Sequence, residues 1–144
     1  MNKKYKKPIL LSFRHSVSRG QNTYGYNIVS LYIDGSKVAS TCGGGYDMKG
    51  TVLGQYIREH YEDRLKKLKG NHGSLDDGTG YYGLTFYDRK NNQRHKTYKK
   101  GDNIYLDGAC GVSCMVNIAK AIGIDLTYTR IGRNNSGYFL TDNR

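Results

Sequence analysis

Apolar and polar residues alternate near the amino end: Ile9, Leu11, Phe13 and Val17 are interleaved with Ser12, Arg14, Ser16 and Ser18. A period of two predicts a half-buried strand. A turn over residues 20–22 leads into a second strand-like run, 24–33, and the Asp34-Gly35 pair separates it from a third, 37–42. Both residues tolerate the positive φ of a tight primed turn, so the pair predicts a hairpin. The period then changes. Val52, Leu53, Tyr56, Ile57, Tyr61, Leu65 and Leu68 recur at helical spacing across 49–69, with Asp47 placed to cap the start and Gly70 just past the end.

Residues 71–80 read as a polar loop, 81–87 as a strand, 89–100 as a long loop or exposed hairpin, and 103–106 as a further strand. A shorter helix is predicted over 111–122, with Val112, Met115, Val116, Ala119 and Ile122 on one face and Gly123 ending it. Runs at 126–131 and 138–141, joined through Arg133, Asn134, Asn135, Ser136 and Gly137, predict a closing hairpin. The order βββαββαββ implies a single α+β domain over residues 1–144, an antiparallel sheet with two helices on one face, preceded by a flexible basic tail at 1–7.

Charge changes the picture more than composition does. The 144-residue chain carries a net charge of +11, and 18 of its 23 Lys and Arg residues fall into three blocks. The first holds Lys3, Lys4, Lys6, Lys7, Arg14 and Arg19 with no acid; the second holds Lys49, Arg58, Arg64, Lys66, Lys67 and Lys69 against Glu59, Glu62 and Asp63. The third, again free of acid, holds Arg89, Lys90, Arg94, Lys96, Lys99 and Lys100. Clusters of this kind attract polyanions, and a phosphate backbone is the simplest partner because each neutralised phosphate releases counterions. Fourteen of the 17 aromatic residues are Tyr, and Tyr5, Tyr87 and Tyr98 lie within or beside the basic blocks, where a ring can stack on a base. The expected nucleic-acid contacts are therefore Lys3, Lys4, Lys6, Lys7, Arg14, Arg19, Lys49, Lys66, Lys67, Lys69, Arg89, Lys90, Arg94, Lys96, Tyr98, Lys99 and Lys100, forming one face.

Other chemistries are less well supplied. Cys42, Cys110 and Cys114 make an odd count, with neither a secretory signal nor a membrane-length apolar stretch, so a reducing cytoplasm is expected. Cys110 and Cys114 lack a second ligand pair at zinc spacing, Asp76 and Asp77 read as solvated loop acids, and neither a metal nor a cofactor is assigned. Residues 45–51 fit G-x-x-x-x-G-T, yet no Lys stands between Gly50 and Thr51 to reach a nucleotide's terminal phosphates. Asp47 also places negative charge inside the loop, so nucleotide hydrolysis is not expected. His15, on the apolar face of the first strand, is expected to be partly buried.

Three resemblances add to this reading. Residues 26–68, with Asp34-Gly35, Gly43-Gly44-Gly45 and the helix beginning at Lys49, resemble the second half of a double-stranded RNA-binding domain. That resemblance implies shape-based duplex contact, although the chain offers only Lys49 where the family carries a run of lysines. The segment 106–114, with Asp107 and Cys110-Gly111, resembles the nucleophile segment of adenain-like and SUMO-type cysteine proteases. It implies Cys110 as a nucleophile at a helix start, with His95 as a candidate base. The runs 18–27 and 42–47 resemble small uncharacterised proteins of tailed bacteriophages, which implies a bacterial host cytoplasm. The preferred reading is a non-enzymatic protein that binds RNA or DNA. The alternatives are a phage inhibitor of a host nucleic-acid-processing defence complex of the anti-CRISPR kind, and a hydrolase using Cys110.

Overall fold

The computed structural model describes residues 7–19, 25–43, 48–69, 83–107, 111–133 and 135–144. Eight strands and three helices are found there: β1 (Ile9–Arg19), β2 (Gly25–Ile33), β3 (Ser36–Gly43), α1 (Met48–His60), α2 (Glu62–Lys66), β4 (Gly83–Asp88), β5 (Gln93–His95), β6 (Asn103–Asp107), α3 (Val112–Ala121), β7 (Ile124–Gly132) and β8 (Asn135–Asp142). The class is α+β, as the pattern predicts. The strands divide between two antiparallel sheets, one ordered β3-β2-β1-β8-β7 and the other β5-β4-β6.

Local chemistry accounts for the joints. Asp34 (φ 50°) and Gly35 (φ 80°) both take the left-handed region, which makes the β2–β3 connection the predicted primed turn. Gly123 (φ 84°) stops α3: its N–H bonds to the Lys120 carbonyl and that of Ile122 to the Ala119 carbonyl. The helix expected over 49–69 is interrupted at Tyr61, whose backbone (φ −130°, ψ 29°) leaves the helical region. The break re-aims the chain so that Leu65 enters the core and the Arg64 guanidinium makes two 2.8 Å contacts with the Asp142 carboxylate at the end of β8. Asp47 and Gly70, proposed as its caps, lie outside the described residues, as does the turn at 20–22.

Leu11 and Phe13 of β1, Val29 and Leu31 of β2, Ala39 of β3, Ile124 and Leu126 of β7 and Leu140 of β8 form the inner face of the large sheet. α1 packs on β2 and β3, on α3 and on β6. Gly54 permits the close helix approach, since a Cβ there would lie 3.0 Å from Met115 Sδ. Beyond α1, Leu84, Phe86 and Ile104 turn the inner face of the small sheet into the same core. Val52, Leu53, Tyr56 and Ile57 are consequently buried around much of α1. His15, expected partly buried, is exposed. Among the described residues, no helix is long and apolar enough to cross a membrane.

Candidate nucleic-acid interface

The β4–β5 hairpin carries Arg89, Lys90 and Arg94 of the third basic block. Asp88 closes its turn: one carboxylate oxygen accepts the N–H groups of Lys90 (3.0 Å) and Asn91 (3.2 Å), and the other accepts the Asn91 side-chain amide at 2.7 Å. The Asn91 amide is the main reason that the Asp88 carboxyl titrates below its ordinary value. Partial desolvation opposes this, and the two backbone N–H groups and nearby His95 reinforce it. Held in this way, the turn presents Arg89 and Lys90 to solvent at its tip.

Cross-strand pairing then assembles a stack. Tyr87 pairs with Arg94 on β5 and with Asn103 on β6, and the buried Thr85 pairs with Tyr105, so Tyr87, Arg94, Asn103 and Tyr105 lie on the face of the small sheet opposite Phe86. The Arg94 guanidinium lies 5.7 Å from the Tyr87 ring centre and 5.1 Å from that of Tyr105, within cation–π range of both. Tyr105 is 43% exposed. Beside the stack opens a cleft of about 890 Å³, with Tyr87, Arg94 and Tyr105 on the sheet side and Arg58, Glu59 and Glu62 on the helical side. Glu62 is engaged by Lys66 at 3.2 Å, an exposed pair one helical turn apart.

The second and third basic blocks also meet on the Phe86 side of the small sheet. Lys69 bridges to Thr97 through the backbone, the Lys66 ammonium lies 5.2 Å from the Tyr98 ring centre, and Tyr98 packs edge-on against Phe86 at 5.7 Å. Tyr98 is thus committed to the small-sheet core rather than offered as an open stacking platform. Lys67, Lys69, Lys96, Lys99 and Lys100 are exposed around this junction.

Arg14 of the first block does not join them. Leu11 and Phe13 face the core, so strand alternation turns Arg14 to the opposite side of the large sheet, where its guanidinium lies 4.3 Å from the Tyr32 ring centre. Lys49 stands at the start of α1, bonded to Ser136 Oγ at 3.2 Å and 5.5 Å from the Phe13 ring centre. Lys7 is exposed ahead of β1, and Arg19 ends that strand. The expectation of one face formed by all three blocks is therefore corrected for Arg14. Lys3, Lys4 and Lys6 lie outside the described residues, as do Tyr5, Asp76, Asp77 and Cys110. The base proposed for Cys110, His95, is half-buried at the end of β5, and Cys114 is a buried thiol in α3.

Arg58 and Tyr105 are the contributors that sequence reasoning left out of the contact set. Arg58 belonged to the second block but carried no special signal. Tyr105 could have been found from the alternation of Asn103 and Tyr105 with Ile104 and Leu106, which marks an outward face. No family model matches the chain, and neither a curated protein nor a solved structure matches it.

Proposed function

We propose that this protein binds nucleic acid without processing it, through the outer face of the small sheet and the adjoining ends of α1 and α2. The observation that carries the reading is the cleft at which Arg58 of the second block stands with Arg89 and Arg94 of the third, beside the Tyr87, Arg94 and Tyr105 stack. Exposed cations flanking the cleft give phosphate affinity, and the half-exposed Tyr105 ring offers an apolar surface on which a base can stack.

Fluorescence-anisotropy titration against labelled single- and double-stranded RNA and DNA at two salt concentrations tests the proposal. Micromolar or tighter binding that weakens steeply with salt supports it. No binding at low salt overturns it and assigns the charge to a protein partner, for which capture of a host nucleic-acid-processing complex is the next measurement.

A further inference from the structure

On the inner side of the small sheet, away from the cleft, three further side chains converge. Asp88 is the last residue of β4, His95 the last of β5, and Asp102 immediately precedes β6. The register brings them together. Phe86 pairs with both His95 and Ile104, and strand alternation places Asp88 on the same face as Phe86; Tyr87 pairs with Asn103, which sets Asp102 beside Asp88. One ligand atom from each of the three lies within 4.8 Å of the other two, and all three residues are half-buried.

We propose that Asp88, His95 and Asp102 form a binding site for a single divalent ion of the zinc type. Ligand atoms about 2.0–2.2 Å from a zinc ion stand roughly 3–4.4 Å from one another, depending on coordination number. Ligand atoms all within 4.8 Å of one another need at most a small contraction to close onto an ion. The carboxylates are oriented from outside, as metal-ligating groups usually are. Asp88 is held by the N–H groups of Lys90 and Asn91 and by the Asn91 amide, and Asp102 Oδ2 accepts the Lys99 N–H at 3.0 Å. Asp88 Oδ2, which accepts only the Asn91 amide, and Asp102 Oδ2, which accepts only the Lys99 N–H, each keep a lone pair for a cation.

Charge balance points the same way. Among the described residues neither Asp88 nor Asp102 has a Lys or Arg within ion-pair distance, although Lys90, Lys96, Lys99 and Lys100 are close in sequence. Two neighbouring, half-buried carboxylates repel one another, and a dication relieves that repulsion. The imidazole selects a transition ion such as Zn²⁺ over Mg²⁺ or Ca²⁺, which prefer oxygen ligands alone. Three protein ligands also leave a coordination position open to water or another oxygen donor. The site stands independently of the nucleic-acid reading.

The test is titration of the metal-stripped full-length protein with Zn²⁺ by calorimetry, and with Co²⁺ by visible absorption. The proposal predicts one equivalent bound, with no thiolate-to-cobalt charge-transfer band. Asp88→Asn, His95→Gln and Asp102→Asn should each weaken binding about tenfold or more, while His60→Gln, on the exposed end of α1, leaves it unchanged. Asn at position 88 keeps an acceptor for the turn, and circular dichroism checks that each variant is folded. Absence of binding, a thiolate band, or undiminished binding in the His95→Gln, Asp102→Asn double variant would overturn the assignment.

Discussion

Changing Lys96, Lys99 and Lys100 together to Gln removes half of the six cations that the third block presents to solvent. If all six neutralise phosphates on a single strand, the logarithm of the binding constant falls with the logarithm of salt concentration at a slope of about −4. A fourfold rise in salt, as from 50 to 200 mM, then weakens binding by about 300-fold. With three contacts left, the slope becomes about −2 and the same rise costs only about 20-fold. The assay is anisotropy of a labelled oligonucleotide at four or more salt concentrations, because the slope counts phosphate contacts while a single affinity does not. None of the three side chains lies in the core, so the variant's unfolding midpoint should match that of the parent protein. Equal slopes for the two proteins would show that this block touches no phosphate.

Three further predictions concern the scaffold. A Cβ at position 137 would overlap the Leu11 carbonyl oxygen and lie 2.8 Å from Ile131 Cδ1, so Gly137→Ala must part β1 from β8; a loss of about 3 kcal/mol in urea denaturation is expected, and an unchanged midpoint would contradict the pairing. The two-point contact between Arg64 and Asp142 ties α2 to the end of β8 while remaining partly exposed, so a double-mutant cycle with Ala should give a coupling of about 1 kcal/mol that shrinks in high salt. Burial, with a smaller contribution from Tyr61, raises the Tyr56 phenol above its ordinary value of 10.0. The unfolded chain then releases that proton first, stability falls as pH climbs past 10, and Tyr56→Phe should flatten the fall; an identical alkaline decline in the variant would refute this.

How much could be read from the sequence depended on the range of the interaction. Asp34-Gly35 and Gly123 announce their turns because the required φ values belong to the residues themselves. The period-two run through Leu11 and Phe13 identified β1, and the same alternation already placed Arg14 on the opposite face. Grouping residues by charge rather than by face obscured that. The interruption at Tyr61 carries no Pro or Gly signal; it accompanies the placement of Leu65 and the Arg64 contact with Asp142, 78 residues away. The division into two sheets was equally hidden, since it depends on β4 pairing with β5 and β6 while β1 pairs with β8. The Tyr87, Arg94 and Tyr105 stack follows from that pairing. So does the ion site, whose two acids appear in the sequence only as the residues flanking a basic stretch without acid.

The most direct test of the account is a comparison of two charge-matched variants in the same nucleic-acid titration. One carries Arg89→Gln and Arg94→Gln on the hairpin beside the cleft; the other carries Arg14→Gln and Lys37→Gln on the far face of the large sheet, where Lys37 pairs with Tyr32. Both lose two charges. The account predicts that the hairpin variant weakens binding by about tenfold or more and that the far-face variant changes it by less than about twofold. Equal losses, or a larger loss from the far-face variant, would contradict the claim that the small sheet and the adjoining helix ends form the binding surface.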